Sequence, residues 1–83
     1  MASTGSWSLA TETRLDARGL KCPLPVLKLE KILATAAPGH RIVVLATDPM
    51  AKVDIPLYCR QHGHACQLAE ADGVLTFTIS TGS

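Results

Sequence analysis

Aromatic side chains are scarce in this sequence, whose 83 residues include only Trp7, Tyr58 and Phe77. Proteins that bind single-stranded nucleic acid stack bases on such side chains, so this class of function has little support. A surplus of one charge is also lacking, because eight basic and seven acidic side chains leave a formal net charge of +1. Without a strongly basic surface to attract phosphates, we expect no direct contact with nucleic acid.

Long apolar runs are absent too, and none approaches the roughly 20 residues that a membrane-spanning helix requires. The N-terminus lacks the basic and hydrophobic regions of a secretion signal, so we expect a cytoplasmic protein without membrane insertion. The three cysteines, Cys22, Cys59 and Cys66, form an odd set, which argues against a disulfide framework. At least one thiol is therefore expected to be free.

The length of the chain supports a single small domain. At this size only about 60% of the unfolded surface is buried on folding, so a large enclosed active-site cavity is not expected. Residues 1–9 are small and polar apart from Trp7 and predict a mobile tail, whereas residues 10–83 form the one domain. We expect this domain to be a monomer with its chemistry on the surface.

Changes in hydrophobic period along the chain predict a βαβαββ order of elements. The predicted strands cover residues 10–16, 41–47, 64–71 and 74–80, and the predicted helices cover residues 23–36 and 54–62. Val26 and Leu29 belong to the apolar face of the first helix, and Pro56 fits the first turn of the second. The pair Asp72-Gly73 predicts a tight hairpin between the last two strands.

Right-handed crossovers between parallel strands place both helices on the same face of one mixed four-stranded sheet. We therefore predict an α/β (α+β) fold, a two-layer sandwich. In this topology the loops after the first and second strands leave the same edge of the sheet, where ligands of open α/β sheets bind. Cys22 lies in the first loop and Asp48 in the second, so we expect these residues to be neighbours.

Cys22 stands just before the predicted first helix and is followed by Pro23 and Pro25. A sulfur at a helix N-terminus faces the positive end of the helix dipole, which favours the thiolate. The prolines lack N–H groups, so Leu24 is the main backbone donor left for the sulfur, and only modest activation is expected. The prolines should also stiffen the loop and keep the thiol pointing outward.

Positive side chains near Cys22 in the sequence, namely Arg18, Lys21 and Lys28, would stabilise an anionic sulfur. Where a dithiol motif would have its second cysteine the chain has Pro25, so sulfur held on Cys22 could not pass to an adjacent thiol. On these residues alone, a small buried and unreactive cysteine is an equal alternative to a reactive one.

Turn-forming residues occupy both loops of this predicted edge. Asp16 and Gly19 lie in the first loop, and Asp16 is expected to hold it through backbone N–H groups. Asp48 precedes a proline in the second loop, which is typical of a turn start. Its carboxylate could instead hydrogen bond to the cysteine loop, although the turn is the favoured interpretation.

The segment CRQHGHAC, residues 59–66, has two cysteines and two histidines that could ligate zinc. Their spacing is irregular for a structural zinc site. Cys59 shares a helical face with Ile55 and Cys66 shares a strand face with Leu68, so core packing explains both cysteines. We expect both thiols to be reduced, largely buried and free of metal.

The segment LDARGLKCPLPVLKLEKIL, residues 15–33, resembles the signature of the TusA/SirA-like sulfur-carrier family. The likeness continues through PGHRIVVLATDPMAKVDIPLYCRQHGH and covers residues 15–79. It implies a βαβαββ sandwich and makes Cys22 the sulfur-accepting cysteine of a C-P-x-P motif. The other residues that it carries over are Asp16, Gly19, Pro23, Pro25 and Asp48.

The resemblance implies a relay in which a cysteine desulfurase or a rhodanese-like donor places sulfane sulfur on Cys22 as a persulfide. A downstream acceptor protein then removes the sulfur, so the protein would be a sulfurtransferase with no cofactor apart from the covalent sulfur. The motif does not choose among tRNA thiolation, molybdenum-cofactor supply and sulfur oxidation. A non-catalytic regulatory or interaction domain is the alternative, and a small zinc-binding module is less favoured.

Overall fold

The computed structural model describes residues 12–82, and the tail predicted at residues 1–9 lies outside that range. Its elements are β1 (Glu12–Ala17), α1 (Leu24–Thr35), β2 (Arg41–Ala46), α2 (Ala51–Gln61), β3 (Ala65–Ala71) and β4 (Val74–Ser80). The strands form one mixed sheet in the order β1-β2-β4-β3, with β1 parallel to β2 and the other pairs antiparallel. The predicted fold class is confirmed.

The core lies on one face of the sheet, where both helices pack. Ile42 pairs with Ile79 and Val44 pairs with Phe77 across β2 and β4, and all four side chains are buried. Because side chains alternate between the faces of a strand, these residues form one apolar surface. The buried residues that the helices add are Pro25 and Leu29 from α1 and Ala51, Ile55 and Cys59 from α2.

Helix α2 begins earlier than the sequence predicted. It starts at Ala51 rather than Asp54, and Pro56 lies inside it. The Met50 carbonyl accepts the Asp54 N–H at 2.9 Å, and the Asp48 carboxylate accepts the Met50 N–H at 3.0 Å. The first turn is therefore complete before the proline, which removes one intrahelical hydrogen bond without ending the helix.

Both helices are short, with 12 residues in α1 and 11 in α2. A membrane span needs about 20 helical residues. In the part of the chain that the structure describes, no helix is long and apolar enough to cross a membrane.

One edge of the sheet carries the loops after β1 and β2. These loops emerge side by side because the two strands are parallel and Ala17, the last residue of β1, pairs with Ala46, the last residue of β2. The β3–β4 turn leaves the same edge, with Asp72 and Gly73 at φ values of 53° and 77°. Those values are typical of the tight hairpin that the Asp-Gly pair predicted.

Candidate functional site

Cys22 lies in the loop between β1 and α1, two residues before the helix begins. Its side chain is half-buried and packs against the margin of the core. The peptide bond that joins it to Pro23 is cis. Its backbone N–H donates to Oδ2 of Asp48 at 2.9 Å, so the two residues are neighbours, as the sheet topology predicted.

The Asp48 carboxylate joins the two loops at this edge of the sheet. While Oδ2 accepts the N–H of Cys22, Oδ1 accepts the N–H of Met50 at 3.0 Å. These donors, first Met50 and then Cys22, hold the pKa of the carboxyl below its usual value. The turn favoured by the sequence and the bond to the cysteine loop, which was the alternative, therefore both occur.

Asp16 holds the first loop through Arg18. Its carboxylate accepts the backbone N–H of Arg18 at 3.1 Å and two guanidinium N–H groups at 2.8 Å. The side-chain bond to Arg18, with its backbone bond, lowers the pKa of Asp16 to about 2. Gly19 has φ of 82° and donates its N–H to Thr47 at 2.9 Å, so a left-handed glycine completes the loop. The Arg18 charge is paired with Asp16 rather than left free for the sulfur.

The Cys22 thiol lacks the activation that the sequence predicted. Burial, with the negative charges of Asp54 and Asp48, raises its pKa to about 11. Helix α1 begins only at Leu24, whose N–H donates to the Lys21 carbonyl at 2.9 Å and not to the sulfur. The expectations of a modestly activated thiol and of Leu24 as its donor are therefore wrong.

Asp54 lies close to the cysteine loop and was not predicted from the sequence, because the pattern placed it at the start of a helix. It lines a groove between α1 and α2 of about 290 Å³. The residues that line this inter-helix groove are Pro23, Val26, Asp54, Leu57, Tyr58 and Gln61. The spacing of Asp54, Leu57, Tyr58 and Gln61 is that of one helical face, which is the signal that could have identified the residue.

Large apolar side chains remain exposed on the two helices. Leu24 and Leu27 on α1 are 46% and 47% exposed, and Val53 and Leu57 on α2 are 58% and 46% exposed. Met50, just before α2, is 53% exposed. Leu57 belongs to the inter-helix groove, so part of this apolar surface adjoins Pro23, the residue that follows Cys22.

The two prolines and two lysines predicted to support the site differ in how far they are buried. Pro23 is exposed at the inter-helix groove, whereas Pro25 is the second residue of α1 and is fully buried. Pro25 therefore packs in the core instead of stiffening an exposed loop. Lys21 and Lys28 are exposed, and Lys21 lines a second shallow pocket together with Asp48.

Cys59 and Cys66 are free thiols. The neighbouring Cys66 thiol and burial raise the pKa of Cys59. Cys59 is buried, but Cys66 is only half-buried and Leu68 on the same strand face is 43% exposed, because β3 is an edge strand. Core packing thus explains Cys59 fully and Cys66 in part. Among residues 12–82, no three His, Cys, Asp or Glu side chains are grouped to hold a metal ion.

Known proteins share both the sequence and the fold of this chain. The family model described as Sulfurtransferase TusA matches residues 13–81. Two Neisseria meningitidis proteins, from serogroups A and B and named as candidate sulfur carriers, are each 47% identical over 66 residues, which cover 78% of this chain and 89% of theirs. The crystal structure of a SirA-like protein from Desulfitobacterium hafniense matches with a TM-score of 0.77 and 29% identity, over 86% of this chain and 99% of that one.

Proposed function

The chain belongs to the TusA sulfurtransferase family, and we propose that Cys22 carries sulfur as a persulfide between two partner proteins. The observation that supports this most is the position of the thiol. Cys22 is half-buried on a loop held by Asp48, and the adjacent Pro23 lines an open inter-helix groove. Another protein's cysteine can approach such a site directly, which is what a relay requires.

The distance between Cys22 and the other thiols suits a carrier. Cys66 pairs with Ile79, which pairs with Ile42 at the start of β2. Asp48, which binds the Cys22 backbone, follows the end of that strand. The six residue steps from Ile42 to Asp48 span about 20 Å at roughly 3.3 Å per residue. Cys66 therefore lies far along the sheet from the Cys22 loop, and Cys59 is fully buried in the core, so neither thiol is well placed to discharge a persulfide on Cys22.

The exchange on Cys22 balances without net oxidation. The Cys22 sulfur attacks the outer, sulfane sulfur of a persulfide on the donor's cysteine, and a new S–S bond forms while the donor's S–S bond breaks. The electron pair of the broken bond goes to the donor's cysteine, which also ends with the proton that Cys22 gave up. In the second half, an acceptor thiolate attacks the outer sulfur and Cys22 returns to the thiol.

Donors of the right chemistry are proteins that hold sulfane sulfur on a cysteine, such as cysteine desulfurases and rhodanese-like proteins. The acceptor is a downstream sulfur-accepting protein that receives the sulfur from Cys22. We place the relay in the cytoplasm, where thiols are kept reduced. The carrier acts there as a monomer and makes no direct contact with nucleic acid.

A loading experiment tests the proposal. Incubation with a cysteine desulfurase and cysteine should add one sulfur atom, seen by intact mass without reductant, and peptide mapping should place it on Cys22. Cys22→Ser should stay folded and unloaded. Cys66→Ser, which removes another half-buried thiol, is the matched control and should load normally. Sulfur found on Cys59 or Cys66, or equal loading of Cys22→Ser, contradicts the proposal.

A regulatory interaction domain is the second candidate, and the exposed apolar side chains favour it. Leu24 and Val53 offer the kind of surface that binds another protein. Such a domain would not need the thiol, so Cys22→Ser should keep its partner binding. Affinity capture with wild type and Cys22→Ser as baits separates the two functions, because a carrier alone requires Cys22 for sulfur transfer to the captured protein.

A further inference from the structure

Two thiols outside the Cys22 site meet where α2 packs on β3. Cys59, in the last turn of α2, is fully buried, and Cys66, near the start of β3, is half-buried. Cys66 pairs with the buried Ile79 across the sheet and packs against the core that contains Cys59, so both side chains lie on the helix-covered face. We propose that Cys59 and Cys66 form a second thiol site, which reacts with low-molecular-weight disulfides and closes to a Cys59–Cys66 disulfide. Neither thiol belongs to the sulfur-transfer site, so this inference does not depend on the proposed function.

An ion pair at the far end of β3 fixes the position of α2 along that strand. Nζ of Lys52, in the first turn of α2, lies 3.0 Å from a carboxylate oxygen of Glu70. Glu70 and Cys66 are four residues apart and therefore share one face of β3, about 13 Å from each other. Lys52 and Cys59 are two helical turns apart on the same side of α2, about 10 Å from each other. Since α2 and β3 run in opposite directions, these matching lengths place Cys59 opposite Cys66.

The turn between α2 and β3 holds the two cysteines together from the near end. The Cys59 carbonyl accepts the N–H of His64 at 2.8 Å, and Gly63 at φ of 75° reverses the chain. Cys66 follows His64 by two residues, which is about 6.6 Å of extended chain. A disulfide needs Cα atoms roughly 4.4–6.8 Å apart, a separation within reach of this arrangement. The Cys66 thiol also raises the pKa of Cys59, as expected of a close neighbour.

The two thiols differ in a way that sets the order of the reaction. Cys66 is accessible because β3 is an edge strand, and the neighbouring Cys59 thiol lowers its pKa, which favours the reactive thiolate. The Cys66 thiolate attacks one sulfur of the external disulfide, so a mixed disulfide forms and one thiolate leaves. Cys59 then attacks the Cys66 sulfur and displaces the second thiolate. The two cysteines lose two electrons and two protons, and the external disulfide gains them as two thiols.

The test is oxidation of the folded full chain in the Cys22→Ser variant, which removes the third thiol. The protein is incubated with excess oxidised glutathione, quenched with acid and analysed by intact mass and peptide mapping. It should lose two hydrogen atoms. Trypsin cuts after Lys52 and Arg60, so the bond should link residues 53–60 to residues 61–83. A reductant should separate the two peptides, and wild type should give the same linked pair.

Two further variants test the order of the steps. Cys59→Ala in the same background should accumulate one glutathione on Cys66, because no second thiol is present to displace it. Cys66→Ala is the matched control and should take up little, since Cys59 is buried. The inference is overturned if folded Cys22→Ser forms no Cys59–Cys66 bond, a result that requires neither core variant to fold. It is equally overturned if the bond forms only in denaturant, or if both alanine variants take up glutathione equally.

Discussion

Replacement of Pro25 by alanine tests whether the second proline of the C-P-x-P segment belongs to the core or to the chemistry. Pro25 is the second residue of α1 and is fully buried. A proline fits there because the N–H groups of the first helical turn have no intrahelical partner. We therefore expect Pro25→Ala to reduce stability and to leave the sulfur chemistry of the folded protein intact.

The expected loss has two sources. Alanine lacks two ring carbons of proline, and each buried methylene contributes about 0.8 kcal/mol. The unfolded chain also gains freedom when the ring is removed, which costs roughly 0.4–1 kcal/mol more. The free energy of unfolding should fall by about 2 to 2.5 kcal/mol. For a domain of this size, that loss lowers Tm by roughly 8–20 °C.

Urea denaturation followed by far-UV circular dichroism measures the free energy, and a thermal melt measures Tm. Pro38→Ala is the matched control, because Pro38 is exposed after α1 and only the unfolded-state contribution of roughly 0.4–1 kcal/mol applies. Desulfurase loading of folded Pro25→Ala should equal that of wild type. The reasoning is refuted if the two variants agree within about 0.5 kcal/mol, or if folded Pro25→Ala fails to load sulfur.

Three further predictions concern charge, pH and metal. Lys21→Glu should slow sulfur transfer at low salt more than Arg18→Glu does, because the Arg18 charge is already paired with Asp16. Equal effects of the two substitutions on the transfer rate, measured by rapid mixing and quenching, would contradict this prediction. Between about pH 9 and pH 11, wild type should lose more stability than Cys22→Ala, because the pKa of Cys22 is higher in the folded than in the unfolded protein. The contribution of the thiol to stability is complete below its unfolded-state pKa and is lost as the pH rises through its folded-state pKa of about 11. Urea midpoints measure the difference, and parallel pH curves would argue against it. Elemental analysis of protein purified without chelator should find no zinc, and stoichiometric zinc that depends on Cys59 would restore the metal hypothesis.

Periodicity in the sequence was sufficient to predict the fold. The strand β4 spans Val74–Ser80 as predicted, because alternation of apolar and polar residues reflects a local geometry in which one face is buried. The hairpin turn was equally predictable, since few residue pairs other than Asp-Gly adopt two left-handed conformations in succession. The start of α2 was not predictable from the sequence. Pro56 indicated a start at Asp54, but the hydrogen bond from Met50 to Asp48 supports an earlier first turn, so the helix begins at Ala51.

The sequence by itself determined the fold class and the proximity of Cys22 to Asp48, because both depend on local period or on the handedness of a crossover. Only the tertiary structure decided the state of the Cys22 thiol. Asp54 lies far from Cys22 along the chain, and the packing of α2 against α1 places it beside Pro23, the residue after Cys22, at the inter-helix groove. A pKa depends on burial and on charges close in space, so neighbours in sequence such as Arg18 gave the wrong sign.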